Sequence, residues 1–509
     1  MKKHPFPKPF LALLPVIFLS VLFVSCKKQK DNGPTPPPNP SGTQLSDADS
    51  LKLLMYNYMM VNFDLGGRAQ QPDYPTYYWY SEVHGVNPLS STYPDAPSLL
   101  NYMKTFAKQP NGKPYDRYSF LDNGQVAGQI QQGVAGDLGM DVSFAYDANK
   151  NIILVVLYTD KNSPAGLAGV QRGMTITTIN GNPVVYDGPN GPNVNSIINA
   201  VFNDPSATFT FKRSDGTTFT TTLSKAQYDV NPILFDTVYN INGKNVGYFV
   251  FYTFSNITYN NTSTLTKQEI DRVFSKFSSS NISDLIVDLR YNGGGSVNTS
   301  EYLDSLIAPS SVSGKVMYNY LYNDKLTASA SAIGLDDKVL FGGGGSLNLD
   351  NVFFIGGRNT ASASELTINN LKPYMNVKLV GDTTYGKPVG FFQFTISIFK
   401  SGVKTDLADL YAINFETRNA NNQGGYFNGL IPDKLATDYV GIPWGDPSDA
   451  NLQSIFSFIS TGSYGRMLPP FERMQQNSQL KLQVQTRALH ELRFNGMVSE
   501  RASRMLEKK

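Results

Sequence analysis

Short apolar runs alternate with amphipathic stretches through residues 245–380. The apolar runs at 245–254, 351–355 and 377–380 indicate buried strands, as does the run that begins at Asp284 and ends in a glycine loop. Apolar residues at helical spacing indicate helices at 268–277 and 364–371. We therefore predict an α/β domain with a mixed sheet over residues 235–445.

The first half of the chain has a different pattern. Residues 45–62 carry apolar residues at helical spacing, with Ser46 or Asp47 placed to cap the helix, and we predict a mainly helical module over residues 45–125. The aromatic cluster T-Y-Y-W-Y at 76–80 either grips an extended peptide or, as is commoner for such clusters, packs in a core or domain interface. Short strands and turns predict a β-rich domain over residues 130–225.

The amino-terminal stretch resembles a secretion signal. Three lysines precede an apolar run that ends near Val24, which predicts a signal peptide at residues 1–25. Cys26 follows Ser25 and is the only cysteine in the chain, a pattern typical of a bacterial lipoprotein that is lipidated at this cysteine. The alternative is a transmembrane anchor, for which the apolar run is short. Residues 26–44 are polar and proline-rich, so we predict a semi-stiff tether and a lipid-anchored protein of the cell envelope.

Composition narrows the class of protein. The chain has 509 residues, a net charge of +2 and 41% hydrophobic residues, which suits several domains with buried cores and gives no sign of nucleic-acid binding. A single cysteine excludes disulfides within the chain. Residues 446–509 are rich in charge, and we predict a helical, mostly solvated tail there.

Ser362 is the candidate nucleophile. It falls at the turn between the predicted strand 351–355 and the predicted helix 364–371. The unpaired N–H groups and the positive dipole at a helix start suit an oxyanion formed by attack of the serine. The alternative is structural, because Ser362 with Glu365 three residues later also forms the pattern of a helix capping box.

Lys387 is the candidate base. It follows the predicted strand 377–380, so it can return to a serine at the end of the neighbouring strand. A lysine can take the serine proton only if burial lowers its pKa enough to leave it neutral. Of the three histidines, His4 lies in the leader and His490 in the charged tail. Only His84, far upstream, remains for a Ser-His-Asp triad, and this favours lysine.

The segment G-D-T-T-Y-G-K-P at 381–388 is one residue away from a phosphate-binding loop. Pro388 stands where that loop needs a serine or threonine, and it has neither a hydroxyl for Mg²⁺ nor an N–H for a phosphate. A nucleotide-hydrolysing function is therefore a weak alternative.

Three consecutive glycines, Gly293 to Gly295, follow the strand that begins at Asp284, in D-L-I-V-D-L-R-Y-N-G-G-G. Glycines let backbone N–H groups approach an oxyanion closely. A plain tight turn is the alternative if the loop is considered alone.

These motifs together resemble those of the carboxyl-terminal processing peptidases, also called tail-specific proteases. S-A-S-E with a lysine 25 residues later in Y-G-K is similar to the Ser/Lys centre of that family, and G-L-I-P-D at 429–433 resembles the segment that closes its catalytic core. The resemblance implies a peptidase core of the ClpP/crotonase-like type, with Ser362 as nucleophile and Lys387 as base. It implies that the oxyanion is held by the N–H groups of Ala363 and Gly294, with Gly293 and Gly295 as alternatives to Gly294.

Residues 163–184 resemble part of a PDZ domain, with a short helix, a glycine turn, a strand and an Asn-Gly hairpin turn. Aspartate is usual in the family where Met174 stands. Leu138, Gly139 and Met140 resemble the loop that receives a peptide terminus in such domains. The alternative is a module that only packs against the catalytic domain.

The resemblance weakens after Lys387. The family usually has glycine where Pro388 stands and, four residues after the lysine, a glutamine that orients it; here Phe391 occupies that position. Gln393 is two residues further on, and we predict it as the orienting residue. We expect Glu365 to be structural rather than a proton relay.

The sequence thus predicts a serine endopeptidase that acts on proteins or peptides and uses no metal or cofactor. A second hypothesis is a peptide-binding surface lipoprotein that keeps the fold without useful catalysis.

Overall fold

The computed structural model of the protein describes residues 45–61, 74–147, 149–343, 345–465, 483–484 and 496–499. The predicted signal peptide and tether, with Cys26, lie outside these residues. No helix in the described part is both long and apolar enough to cross a membrane.

The segment before the β-rich domain is less helical than we predict. Ser46 caps its first helix by accepting the Asp49 N–H at 3.1 Å. Prolines such as Pro88, Pro94 and Pro110 interrupt the described chain between and after the helices, because proline cannot continue a helix. The elements are α1 (Asp47–Met60), a 3-10 turn (Tyr80–Glu82), α2 (Ala96–Met103), β1 (Phe120–Asp122) and a π-helical turn (Ala127–Gln132).

The aromatic cluster at 76–80 packs at an interface inside the chain. Tyr77 is fully buried, and Trp79 stacks on Tyr115 with ring centroids 5.7 Å apart. The Tyr78 N–H donates to the Ile413 carbonyl at 2.7 Å. The cluster therefore joins the amino-terminal segment to the α/β domain, as its packing alternative predicts.

The β-rich domain has its own apolar core, built around Phe144, Phe209 and Phe211. Asn180 and Gly181 both have positive φ (51° and 80°), as the predicted Asn-Gly hairpin turn requires. The elements are β2 (Val134–Ala135), β3 (Met140–Tyr146), β4 (Ile152–Thr159), α3 (Pro164–Leu167), β5 (Thr175–Ile179), β6 (Asn182–Pro183), α4 (Pro192–Ile198), a π-helical turn (Asn199–Asn203), β7 (Ser206–Lys212), β8 (Thr218–Ser224) and β9 (Tyr228–Asp229).

The α/β domain and the residues after it supply the other elements. They are β10 (Ile233–Ile241), β11 (Lys244–Phe251), β12 (Thr258–Tyr259), β13 (Thr262–Ser263), α5 (Leu265–Ser279), β14 (Asp284–Asp288), β15 (Gly294–Ser296), α6 (Val297–Ile307), a 3-10 turn (Ser310–Val312), β16 (Val316–Leu321), α7 (Asp324–Ile333), β17 (Lys338–Leu340), β18 (Asn351–Gly356), α8 (Ala363–Leu371), β19 (Val377–Gly381), β20 (Val389–Phe391), β21 (Phe394–Lys400), β22 (Val403–Tyr411), β23 (Ile413–Asn419), β24 (Lys434–Leu435), α9 (Ala450–Thr461), β25 (Gln483–Val484) and β26 (Gly496–Val498).

The central sheet has the strand order β10-β11-β14-β18-β19-β24. β10 and β11 form an antiparallel hairpin, and all later neighbours are parallel. Every residue of β14 is buried, as expected for a parallel strand that is covered on both faces. The predicted mixed α/β fold is thereby confirmed, although the hairpin strand β10 precedes the first strand that we predict.

A second six-stranded sheet has the order β15-β26-β20-β23-β16-β17, and a three-stranded sheet has the order β1-β22-β21. The β-rich domain forms a sheet in the order β25-β3-β4-β5-β7-β8, with β6 paired to β5. Within the predicted tail, residues 450–461 form a helix (α9) as expected, but residues 483–484 and 496–498 are strands, and residues 496–499 are buried rather than solvated. Pairing with open strand edges outweighs the local helical tendency of the tail sequence.

The three parts are packed into one body. A single apolar core contains Leu54 and Met59 of α1 together with Phe249 and Leu285 of the central sheet. A second apolar cluster joins the β-rich domain to the other face of that sheet. Arg172 reinforces this junction, since it donates to Asp438 at 2.7 Å and lies 4.0 Å from the Trp444 ring centroid.

We expect Arg290 to dominate the polar part of this junction. Its buried guanidinium contacts Asp288, Asp438 and Asp449 at 2.7–2.8 Å. Removing one partner of a buried ion pair leaves charge uncompensated, so Arg290→Met should lower the free energy of unfolding by about 3–5 kcal/mol. Urea denaturation measures this change.

The matched control is Arg358→Met, because Arg358 and Asp382 form an exposed pair with 51% of each side chain accessible. That change should cost about 0–1 kcal/mol. Equal costs for the two variants would contradict a structural role for the buried cluster.

Candidate active site

Ser362 lies in a strained turn directly before α8. Its backbone has φ 59° and ψ −108°, a conformation that costs a non-glycine residue energy. The turn is held by the glycine loop, because the Ala361 N–H donates to the Asn292 carbonyl at 3.1 Å and the Ser364 hydroxyl donates to the same oxygen at 3.0 Å. The serine is thus fixed where strand β18 meets the helix.

The side chain of Ser362 is fully buried. Its hydroxyl oxygen has no hydrogen-bond partner among the described residues. Ser362 and Glu365 nevertheless have the reciprocal arrangement of a capping box, in which the Ser362 N–H donates to Glu365 Oε2 at 2.9 Å. The capping alternative is therefore supported by the arrangement of the two residues, but no hydrogen bond from a described residue holds the Ser362 hydroxyl.

Glu365 connects the nucleophile to the base. Its carboxylate accepts the N–H groups of Ser362, Gly386 and Lys387 at 2.8–2.9 Å and a short hydrogen bond from the Thr384 hydroxyl. Burial raises the pKa of Glu365, and these donated hydrogen bonds oppose the shift. We expect a structural role for Glu365 from the sequence, and the contacts show what it fixes: the turn of Ser362 against the loop of Lys387.

Lys387 is also fully buried. Its amine lies 3.7 Å from the Phe391 ring centroid and 5.0 Å from that of Tyr118. Burial lowers the pKa of Lys387 well below its usual value, while the charges of Asp116 and Glu365 oppose the shift. The condition that the sequence leaves open, an amine shielded from water, is met by this geometry.

The amino-terminal segment holds the lysine loop in place. The Tyr118 hydroxyl donates to the Gly386 carbonyl at 2.5 Å, and the Arg117 guanidinium donates to the same carbonyl at 3.1 Å. Arg117 also donates to the Phe427 carbonyl at 2.8 Å. Sequence reasoning missed these residues, because the contacts with Gly386 join positions 268 and 269 apart and no local motif marks them.

Asp116 stabilises the backbone next to Arg117 and Tyr118. Its buried carboxylate accepts the Tyr77 hydroxyl at 2.8 Å and the Tyr118 and Ser119 N–H groups at 2.9–3.0 Å. It orders the backbone that presents Tyr118, and its charge acts on Lys387.

The nucleophile and the base do not hydrogen-bond in this state. The Ser362 hydroxyl has no partner among the described residues, and this includes the Lys387 amine. In enzymes without bound substrate, catalytic hydrogen bonds are often long and tighten when substrate binds. Ser362 and Lys387 are thus both buried, but the hydrogen bond between their side chains is not formed.

The proposed oxyanion donors are adjacent, but one of them is engaged. Ala363 begins α8, so its N–H has no acceptor within the helix. A Cβ added to Gly294 would lie only 2.9 Å from the Ala363 nitrogen. The Gly294 N–H itself donates to Asn292 Oδ1 at 2.9 Å. Asn292 stands within the quoted glycine motif, but sequence reasoning gave it no role.

Gln393 forms hydrogen bonds with two residues outside the Lys387 loop, Gln131 and Asp409. Its amide forms a short hydrogen bond with Gln131. Burial raises the pKa of Asp409, and a hydrogen bond to Gln393 opposes this shift. The side chain over the Lys387 amine is Phe391, at the position where the sequence lacks the usual glutamine. An orienting role for Gln393 stays a prediction.

Two alternative chemistries find no support in the local geometry. The loop 382–388 leads into strand β20 rather than a helix, so it lacks the helix start of a phosphate-binding loop. His84 is exposed, whereas Ser362 is buried.

A cleft with a volume of about 920 Å³ opens beside Gly293 and Gly294. Residues of the amino-terminal segment, the β-rich domain and the central domain all line it. Leu138 and Met140 are buried rather than in the cleft wall, and the Gly139 N–H donates to Asp137 Oδ1 at 2.8 Å. The Gly139 amide is thus engaged within its own loop, and peptide binding at these three residues stays a prediction.

Comparisons with known proteins give similarities in sequence and fold. The model of peptidase family S41 matches residues 245–433, from β11 to the residue before β24. The chloroplastic C-terminal processing peptidase of Tetradesmus obliquus is 26% identical over 312 residues, which is 58% of this chain and 60% of that relative. The match therefore spans less than two thirds of the relative.

A solved structure described as an S41 protease of Bacteroides fragilis has the same fold. It superposes with a TM-score of 0.59 at 20% identity, over 84% of this chain and 99% of that one.

The strain at Ser362 predicts an unusual ranking of variants. Glycine adopts positive φ without penalty, so Ser362→Gly should be more stable than Ser362→Ala by about 1 kcal/mol, although glycine is normally the less stable residue. Chemical denaturation of the two variants measures the difference. A Ser362→Ala variant as stable as Ser362→Gly would mean that the turn carries no strain.

Proposed function

Because the chain carries a peptidase family S41 domain at residues 245–433, we propose that it is a serine endopeptidase with a Ser/Lys centre. The Ser362 oxygen attacks the carbonyl carbon of a peptide bond, and its proton passes to the neutral amine of Lys387. The tetrahedral intermediate collapses, the C–N bond breaks and Lys387 returns the proton to the departing amine. Water, activated by the same amine, then hydrolyses the ester on Ser362 and releases the acid product.

The burial of Lys387 is the observation that carries this proposal. A lysine at its usual pKa is protonated at neutral pH and cannot act as a base. Here the amine is enclosed by aromatic rings, and burial lowers its pKa well below the usual value. The Glu365 carboxylate holds the same loop against the turn of Ser362, which supports a shared role for the two residues.

Ala363 and Gly294 would stabilise the oxyanion. The Ala363 N–H is at the positive end of α8, where negative charge is favoured. The Gly294 N–H must first leave Asn292, and Gly294 has φ 104°, a region where a glycine backbone turns without steric cost.

Protein or peptide chains are the substrates that we propose, in keeping with the family of the domain. The β-rich domain would act as a PDZ-like module and bind the substrate or its carboxyl terminus by strand addition. A lipid anchor at Cys26 would hold the enzyme at the cell envelope.

A peptide-binding protein without useful catalysis is the second candidate. Two observations favour it: the Ser362 hydroxyl has no hydrogen-bond partner among the described residues, and the Gly294 N–H is engaged by Asn292. A folded wild-type chain that binds peptides but cleaves none would support this candidate.

The first test is cleavage of an unstructured protein such as casein. Ser362→Ala and Lys387→Met should each lower kcat/KM by at least about 10³-fold, because the nucleophile and its base act as a unit. Arg358→Met, at an exposed ion pair, is the control and should leave kcat/KM unchanged. Retention of cleavage by Ser362→Ala would contradict the assignment.

The pH dependence of cleavage tests the base. Because the amine must be neutral, kcat should rise with pH through the lowered pKa of Lys387 and reach a plateau below its usual value of 10.5. Lys387→Arg should be inactive throughout, since arginine stays protonated. A rate that declines as pH rises over this range would exclude lysine as the base.

A further inference from the structure

Residues 496–499 lie as a strand inside the candidate active site. β26 pairs in parallel with β15 of the glycine loop on one side and with β20, which follows Lys387, on the other. The Gly496 N–H donates to the Gly293 carbonyl at 2.9 Å, and the Ser499 N–H donates to the Phe391 carbonyl at 3.0 Å. This strand therefore joins the loop of the oxyanion donors to the strand after the base.

The side chains of this strand are enclosed. Met497 and Val498 are fully buried, and Ser499 is 3% exposed. The Ser499 hydroxyl lies 3.2 Å from the Tyr320 hydroxyl. A Cβ added to Gly390 would clash with the Phe415 ring and would lie 2.8 Å from Met497 Cγ, so this glycine of β20 leaves room for both side chains. The position between β15 and β20 therefore encloses apolar side chains in a buried environment.

The backbone of the strand reaches the oxyanion donors. A Cβ added to Gly294 would clash with the Gly496 carbonyl oxygen and would lie 2.9 Å from the Ala363 nitrogen. A peptide carbonyl from the tail thus lies next to the two residues proposed to bind the carbonyl oxygen of a substrate.

Without β26, the second sheet would have a gap between β15 and β20. Strands two places apart in a sheet are separated by about 9–10 Å, which is the space for one extended chain. Both sides of such a gap present backbone hydrogen-bonding groups, and this is how proteins bind peptides by strand addition. The gap is therefore built to hold one peptide strand.

A second part of the tail occupies the β-rich domain. β25 pairs antiparallel with the far end of edge strand β3, at Ala145 and Tyr146. Because the pairing is antiparallel, the tail runs there toward the start of β3, where the Leu138–Met140 loop lies. Addition of an extended chain to a sheet edge is the way in which PDZ domains bind peptides.

We infer that the chain's own tail acts as an internal pseudosubstrate: residues 483–484 occupy the edge of β3, and residues 496–499 fill the strand gap beside Ser362. The inference rests on the proposed function. A protein substrate must displace residues 496–499 before its peptide bond can reach the serine.

The state of the catalytic groups agrees with this inference. Ser362 and Lys387 are both inaccessible to solvent, so no peptide carbonyl can reach the serine until part of the protein moves. The Gly294 N–H is turned to Asn292 while β26 is in place. Displacing a strand of three residues requires no rearrangement of the central sheet.

Substitutions in the full-length chain test the inference. Val498→Asp places a carboxylate in a buried apolar site and should expel the strand. Val403→Asp is the matched control, because Val403 is 65% exposed at a hairpin remote in sequence from the tail. If the gap is filled in nine molecules of ten, Val498→Asp should raise kcat/KM for a peptide substrate about 10-fold, whereas Val403→Asp should not change it.

A structural role for β26 predicts the reverse. Val498→Asp would then lower both kcat/KM and the melting temperature, and either a loss or no change of kcat/KM in a folded variant overturns the inference. Met497→Asp provides a second variant in case Val498→Asp fails to fold.

Peptide binding separates this inference from the proposed function. A fluorescent synthetic peptide of residues 494–501 should bind Ser362→Ala/Val498→Asp at least about 10-fold more tightly than Ser362→Ala alone. Equal affinity for the two would show that the tail does not fill the gap. If the two variants differ in affinity but neither the wild type nor Val498→Asp cleaves any peptide, the inference that the tail fills the gap stands and the proposed peptidase function is contradicted.

Discussion

The carboxylate of Glu365 is the interaction on which the candidate active site depends. It accepts hydrogen bonds from the turn of Ser362 and from the loop that carries Thr384, Gly386 and Lys387. A carboxylate offers only acceptors, and the donors around this one all point at it. These bonds offset part of the cost of burying the carboxylate, and they fix the end of β18 relative to the end of β19.

The lysine owes its environment to parts of the chain far from the motif. Tyr118 and Phe391 enclose the amine, and Arg117 and Tyr118 hold the backbone of the loop. The amino-terminal segment thus forms part of the surroundings of the candidate base rather than a separate module, in agreement with the single apolar core that it shares with the central sheet. A buried lysine needs such enclosure on every side, because water near the amine would restore its usual pKa.

The sequence predicts the strands and helices of the central domain closely, since their apolar runs are long and regular. It also predicts that Ser362 and Lys387 follow neighbouring strands, and β18 and β19 are indeed paired. It does not reveal Tyr118, Arg117 or Asn292 as parts of the site, because these contacts depend on three-dimensional packing between distant segments. The tail agrees with expectation only in part: residues 450–461 form a helix, but residues 483–484 and 496–498 pair with strand edges elsewhere in the fold.

The structure represents a closed form of the site. The candidate nucleophile Ser362 is strained and inaccessible, the proposed oxyanion donor Gly294 is engaged by Asn292, and a tail strand pairs with the glycine loop. Enzymes that attack peptide bonds gain from such a form, because an assembled centre open to every chain would cleave without discrimination. Assembly on displacement of the tail would couple cleavage to the binding of a suitable chain.

The central claim is that Lys387 is neutral in the folded protein, and its pKa is directly measurable by NMR with ¹³C-labelled lysine side chains. Burial also lowers the pKa of Lys104 and Lys372, so titration of the folded chain should show a lysine signal with a pKa well below 10.5 that is missing specifically from Lys387→Met. If Lys387→Met instead removes a signal that titrates near 10.5, the Ser/Lys mechanism is contradicted.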